Sequence, residues 1–273
     1  MENELKSKMW RIKCRLNAKD NKAHRIWSSH KTIFVPYSMI LSFVNMVNKA
    51  EENTDLSIVK TRDGSQTLIS QRFGQHYHSL HGAVQESRHV FIKNGLSELD
   101  QNRTLKILEM GLGTGLNALL CQQFRDAIGK PSSYFSYEAF PIPLSLSDEL
   151  NYSELLGASS NEVLHQIHHC AWETNIDLAL NFCFKKLQRN ILDGIDETGF
   201  DLVIYDAFSP GSQPELWTEE IFSLLLSRMN IGGILSTYCS KSDVRKALIA
   251  VGFQVKKLPG PPGKREMLQA VKV

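Results

Sequence analysis

The chain has 273 residues, 42% hydrophobic and 22% charged, with a mean hydropathy of −0.23. That composition excludes a disordered, collagen-like or disulfide-scaffold chain, and no run reaches the roughly 18 uncharged apolar residues of a membrane span. The net charge is only +2, but residues 1–50 hold ten Lys/Arg against three Asp/Glu, so a basic arm of +7 precedes a body of −5.

Residues 1–52 read as a basic N-terminal extension: a solvated tail, a targeting segment or an upstream start, with contact to nucleic acid as the functional alternative. Within it, Tyr37–Lys49 predicts a helix that ends in the polar run Glu51-Glu52-Asn53-Thr54-Asp55. Residues 53–100 are expected to form a small cap subdomain. Leu56–Thr61 and Gln66–Ser70 read as strands joined through Asp63-Gly64, a hairpin signal. A helix over Gly82–Asn94 follows, with Gly95 as its C-cap.

From Thr104 the pattern alternates, and residues 101–273 are expected to form one α/β domain. Strands are predicted at Leu105–Met110, Tyr134–Phe140, Phe182–Leu187, Phe200–Tyr205, Ile234–Cys239, Phe253–Leu258 and Glu266–Val273. Helices are predicted at Leu116–Arg125, Ser145–Leu156, Asn161–Ala171, Thr218–Met229 and Asp243–Val251, and Gly232-Gly233 reads as the turn into its strand. Alternation at this spacing implies an open, mostly parallel sheet with helices on both faces, and no helix separates the last two strands, so they form a hairpin with one strand antiparallel. Ligands on such sheets bind at the carboxyl ends of the strands.

The five cysteines, Cys14, Cys121, Cys170, Cys183 and Cys239, form no C-x-x-C pair. They read as free thiols in a reducing compartment, and the expected location is cytoplasmic. His165, His168 and His169 have helical spacing but no evident fourth ligand, so no metal is expected.

The sharpest motif is Glu109-Met110-Gly111-Leu112-Gly113-Thr114-Gly115-Leu116-Asn117, between a strand and a helix. Its glycines allow tight turns and close approach of a ligand. The spacing G-x-G-x-G, with an acid two residues ahead, differs from the dinucleotide fingerprint. It resembles motif I of class I S-adenosylmethionine-dependent methyltransferases. Glu138, at the end of the next strand, sits where a carboxylate holds ribose hydroxyls. Asn190 is the candidate adenine contact, with Asp193 as competitor. Asp206 ends the buried strand Phe200–Tyr205, where an acid can fix an attacking amine by a charge-assisted hydrogen bond or help take its proton.

Longer segments carry a wider resemblance: Asp63-Gly64-Ser65-Gln66-Thr67-Leu68, the run Tyr77–Phe91, the glycine loop, Asp206–Pro210 with Trp217-Thr218, and Gly263-Lys264-Arg265-Glu266-Met267. In these the chain resembles the bacterial tRNA wobble-uridine methyltransferases, comprising stand-alone MnmD proteins and the methyltransferase domain of bifunctional MnmC. The resemblance implies a class I, Rossmann-like methyltransferase fold. It implies S-adenosyl-L-methionine as cofactor, and direct methyl transfer to the exocyclic amine of 5-aminomethyl-2-thiouridine in tRNA anticodons. The expected form is the stand-alone one, and a monomer is the simplest expectation.

On this reading Asp206 is the catalytic residue. Glu109, Gly111, Gly113, Thr114, Gly115, Asn117, Glu138, Asn190, Asp206 and Tyr77 hold the cofactor, and Tyr77 is also a candidate for the cofactor border together with Ser79. Lys264 and Arg265, on a rigid basic loop, together with Arg88, His89 and Phe208, meet the anticodon stem-loop. Two other classes compete, of which the first shares the glycine loop and the second is opposed by the intact Gly111–Gly115 loop and Asp206. A small-amine transferase related to spermidine synthases carries a second acid where Ser209 stands here, and a non-catalytic RNA- or nucleotide-binding module needs no intact Asp206.

Overall fold

The computed structural model describes residues 25–28, 31–34 and 55–273. The helix expected over residues 37–49 lies outside them. The chain divides into two units, residues 1–54 and 55–273. In the first, β1 (Arg25–Ser28) and β2 (Lys31–Phe34) pair as an antiparallel hairpin.

The second unit opens with a three-stranded antiparallel sheet of β3 (Leu56–Lys60), β4 (Gln66–Ser70) and β5 (Gln75–His76). The turn between β3 and β4 is organised by Asp63, whose Oδ1 accepts from the Ser65 amide (3.0 Å) and the Thr61 hydroxyl (2.7 Å). Helix α1 (Ala83–Ser87) continues as a π-helical stretch over Arg88–Lys93. Its last bond runs from the Asn94 amide to the His89 carbonyl, 3.2 Å. Gly95 is not the left-handed cap expected of it: Asn94 caps the helix, and Gly95 has φ −131°. A Cβ at Gly95 would lie 2.5 Å from the Phe91 carbonyl oxygen, so close backbone approach accounts for this glycine.

The main sheet contains β6 (Leu105–Met110), β7 (Ser132–Tyr137), β8 (Ile176–Ala179), β9 (Phe182–Leu187), β10 (Phe200–Tyr205), β11 (Met229–Thr237), β12 (Phe253–Pro259) and β13 (Glu266–Lys272). Its order is β12-β13-β11-β10-β6-β7-β9-β8. Strands β9, β7, β6, β10 and β11 run parallel, and β13 is antiparallel to both β11 and β12. The expected C-terminal hairpin is therefore present. Sequence reading missed β8, a four-residue edge strand antiparallel to β9.

Strand β10 is buried along its whole length. Both faces of this central parallel strand are covered, which is why it reads as a continuous apolar run. On one face Leu105, Ile107, Leu202 and Ile204 pack with helix α2 (Leu116–Ile128) and with α5 (Ser159–His169). On the other, Leu108, Met110, Val203 and Tyr205 pack with α6 (Glu219–Arg228) and α7 (Ser242–Ala250). Thr218 caps α6 by accepting from the Ile221 amide.

Several boundaries differ from the sequence reading, three of them informatively. The single helix expected over Ser145–Leu156 is two, α3 (Leu144–Asp148) and α4 (Tyr152–Leu156). Asn151 breaks it because its side chain is recruited elsewhere: Oδ1 accepts from the Gln66 amide (2.9 Å) and Nδ2 donates to the Gly64 carbonyl (3.0 Å). Strand β11 starts at Met229 and runs through Gly232-Gly233 with a register shift against β10, where a turn was expected. Strand β7 ends at Tyr137, because Glu138 turns to bind backbone amides. No described helix is long and apolar enough to cross a membrane.

Arg125, fully buried on α2, stitches the strand entrances together. It donates to the Ser132 hydroxyl (2.7 Å), the Gln101 side chain (2.8 Å) and the carbonyls of Arg103 (2.9 Å) and Pro131 (3.0 Å). Burial lowers its pKa. Arg125→Leu strands these acceptors, and urea unfolding is expected to show a loss of about 2–4 kcal/mol; an unchanged midpoint would refute this role.

Candidate active site

The strand order reverses between β6 and β10: from β6 the chain steps outward to β7 and β9, then crosses back to β10. Parallel pairing sets Met110 opposite Tyr205, so the glycine loop leaves the sheet beside Asp206. A crevice at this reversal is where open α/β sheets bind ligands. A cavity of 410 Å³ lies there, within the usual range of small-molecule sites.

Gly111, Gly113 and Gly115 have φ of +84°, +51° and +75°. At Gly113 a Cβ would lie 2.9 Å from the Tyr77 ring. The Gly113 amide donates to Glu138 Oε2 (2.9 Å), and the Phe140 amide donates to Oε1 (2.7 Å). Burial pushes the Glu138 carboxyl up and these amides pull it back. Behind the loop, buried His168 meets the Thr114 carbonyl through Nε2 at 3.0 Å. Burial depresses its pKa to about 4, so the ring is neutral and the contact is an Nε2–H donation. His168 thus supports the loop. His165 and His169 lie with Asp148 in an exposed grouping outside the cavity.

Thr114, Asn117, Glu138, Tyr77, Asn190 and Phe208 line the cavity together with Gly111 and Gly113. Asn190 also caps a turn by accepting from the Leu192 amide (3.0 Å), while Asp193 is not part of the wall. Gly115 sits behind the wall against His168. Glu109 is a correction: it is fully buried on the opposite face of β6 and does not border the cavity. Strand alternation turns its side chain to Ser136, whose hydroxyl donates to Oε2 at 2.7 Å. Burial raises its pKa to about 8.

At the other end of the cavity, Asn117 Nδ2 donates to Asp206 Oδ2 at 2.9 Å. Burial, then the charge of Glu86, pushes Asp206 up to about 8, against Asn117 and Lys264. Lys264 is the second correction. It was expected on an exposed loop facing phosphates, but its Nζ points inward to Glu86 Oε1 at 2.7 Å. Arg265 remains exposed beside it. Arg88 and His89 line a separate shallow groove with Asp63, Gln85 and Lys93. His89 is tied to the Pro259 carbonyl at 2.8 Å.

The cap closes over the loop that follows β10. Gln75 Nε2 donates to Ser209 Oγ (2.5 Å), the Ser209 amide donates to Gln75 Oε1 (3.1 Å), and the Ser212 hydroxyl donates to the Phe73 carbonyl (2.9 Å). Phe208 stacks on Phe73 at 4.4 Å and meets Tyr77 edge-on at 5.1 Å. Sequence reading gave no role to Glu86, Tyr238, Gln75 or Phe73. Glu86 lay inside a quoted segment, but nothing local marked it.

This sheet order, with a glycine loop at the reversal and acids after the second and fourth parallel strands, is that of the class I methyltransferase fold. Residues 151–273 match the model of a family described as S-adenosyl-L-methionine-dependent methyltransferase. The chain is 32% identical over 228 residues to the tRNA 5-methylaminomethyl-2-thiouridine biosynthesis bifunctional protein MnmC of Marinobacter nauticus, covering 73% of this chain and 34% of that protein. The Nitrosospira multiformis protein of the same name is 32% identical over 219 residues, covering 74% and 35%. The chain thus spans about a third of the length of these relatives. The crystal structure of MnmC2 from Aquifex aeolicus superposes with a TM-score of 0.66 at 23% identity, covering 99% of this chain and 82% of that one.

S-adenosylmethionine fits the residues present. The loop leaves no room for a Cβ at Gly113, where it would meet the Tyr77 ring of the same wall, and the Glu138 carboxyl stands on that wall after β7. Gly113→Ala is expected to weaken S-adenosylmethionine binding by at least about tenfold, some 1.4 kcal/mol, measured by calorimetry; unchanged affinity would remove this loop from the site.

Proposed function

We propose that this chain methylates the exocyclic amine of a 5-aminomethyl-(2-thio)uridine at the tRNA wobble position. Support comes from the likeness to the MnmC proteins and from one observation above all: Asp206 opens onto the cavity beside the glycine loop, at the strand reversal. Bound there, S-adenosylmethionine would supply an electrophilic methyl carbon, to which an amine lone pair forms the N–C bond as the C–S bond breaks and the neutral thioether S-adenosylhomocysteine leaves.

The residues divide the remaining work. Gly111, Gly113 and Gly115 shape the cradle, and Thr114, Asn117, Glu138, Tyr77 and Asn190 hold the cofactor. Asp206 orients the amine by a charge-assisted hydrogen bond. An ammonium has no lone pair, so an amine arriving protonated gives one proton to the Asp206 carboxylate before it reacts. Phe208, on the wall, offers a face on which a splayed base stacks. Arg265 and Arg88, both exposed, meet the RNA backbone.

Asp206→Asn is expected to cut kcat by about 10²–10⁴. Its affinity for S-adenosylmethionine should stay within about tenfold of the unsubstituted chain, measured by calorimetry. Equal loss of both assigns Asp206 to the cofactor alone.

Asp206 is protonated below about pH 8 and accepts a proton only above it. Asn117 on α2 is hydrogen-bonded to it, Glu86 on α1 and Lys264 before β13 act on it through their charges, and it acts in turn on Glu109 on β6, Tyr134 on β7 and Tyr238 after β11. The rate should therefore rise with pH through about 8 and lose that limb in Asp206→Asn; a flat profile in the unsubstituted chain argues against Asp206 as proton acceptor. Labelled S-adenosylmethionine with tRNA carrying the free aminomethyl group tests the substrate, and label entering polyamines in place of tRNA overturns it.

A further inference from the structure

One corner of the cavity is unused by the residues that hold the cofactor. Glu86 on α1, Tyr238 after β11 and Lys264 between β12 and β13 meet on the wall that also carries Asp206. Glu86 is 6% exposed. Its Oε2 accepts the Ser79 amide at 2.6 Å and its Oε1 accepts Lys264 Nζ at 2.7 Å. The same Nζ lies 3.9 Å from the centre of the Tyr238 ring. The ring is itself fixed, its hydroxyl donating to the Ala207 carbonyl at 2.8 Å. A carboxylate facing an aromatic ring is the chemistry that recognises an alkylammonium. In this chain the alkylammonium is the end of a lysine.

We propose that Glu86 and Tyr238 form the subsite for the acceptor's primary ammonium, and that Lys264 is its resident occupant, displaced when the substrate's aminomethyl group enters. This rests on the amine-methylating reading above and names the groups that select the amine. Exchanging one ammonium for another keeps the buried carboxylate paired. Emptying the subsite leaves a buried charge without a partner, which is costly. A nucleoside without an amine offers nothing in exchange, so Lys264 stays in place. The subsite therefore discriminates by the groups a wrong ligand would leave unpaired.

The Lys264 loop is braced at its base by the Gly260 amide on the Arg265 carbonyl (3.1 Å) and the Lys264 amide on the Pro261 carbonyl (2.9 Å), so only the side chain has to move. An ammonium held at Glu86 gives its proton to the Asp206 carboxylate on the same wall, leaving a neutral amine with its lone pair free.

Lys264→Ala opens the subsite. By calorimetry, without cofactor, butylammonium chloride is expected to bind this variant at least about tenfold tighter than the unsubstituted chain. The double variant Lys264→Ala/Glu86→Gln is expected to lose that gain. No gain in Lys264→Ala, or a gain that survives Glu86→Gln, overturns the proposal; retained S-adenosylmethionine affinity reports that each variant is folded. The isosteric Glu86→Gln supplies a second arm, with KM for aminomethyl-bearing tRNA expected to rise about tenfold or more, and an unchanged KM overturns the proposal. The butylammonium arm uses no RNA. Failure of the unsubstituted chain on tRNA therefore ends the tRNA reading separately from the subsite.

Discussion

The parallel pairing of β6 with β10 is the constraint from which the site follows. With Met110 set against Tyr205, the next residue of each strand leaves the sheet at one place, Gly111 on one side and Asp206 on the other. A slip of one residue would exchange the two faces of β10, sending Val203 and Tyr205 into the core now filled by Leu202 and Ile204. Because β10 is buried on both faces, the register is held by packing along its whole length. The positions of cradle and acid are thus consequences of core packing.

Five carboxyl groups lie in or under this crevice; Glu215 is exposed, and the surroundings of the other four separate their roles. Glu138 accepts two backbone amides, and Glu86 accepts one amide and an ammonium. Asp206 has one side-chain amide and Glu109 one hydroxyl. Burial raises the last two to about 8, as expected where desolvation exceeds the compensating hydrogen bonds. Access then separates them. Glu109 is sealed beneath the sheet face, whereas Asp206 borders the cavity and can exchange a proton with a ligand. The proposed reaction brings a sulfonium and an amine together, and the acid that borders the cavity is one whose charge depends on pH near 8.

Much of the fold was legible in the sequence. Residues 105–110 and 200–205 stood out as short, largely apolar segments and 182–187 as a strand between helices and loops, and each is a strand over those residues. The glycine loop and Asp206 were legible because the chemistry sits in consecutive residues after a strand. What escaped was set by distant partners. Nothing near Asn151 announces that its amide holds the turn at Gly64, 87 residues away in sequence. Lys264 lies in a Pro- and Gly-rich loop that reads as solvated, and its partner is 178 residues away. Glu109 was legible in principle: strand alternation places it opposite Met110, whose face borders the cavity.

The cap completes the site by covering it. Gln75 makes two hydrogen bonds to Ser209, and Ser212 reaches back to the Phe73 carbonyl, so the loop after β10 is fixed to β5. The amide of Gln75 requires an acceptor and a donor at Ser209, which the hydroxyl and backbone N–H provide. Phe73, Tyr77 and Phe208 then pack as one aromatic group above the glycine loop. Methyl transfer to an amine gains most from holding donor and acceptor in line with water excluded. Two features meet that need: rigid strand ends set the reacting groups, and an aromatic cover limits where an acceptor can enter. The wall on that side of the cavity carries Asp206 and Glu86.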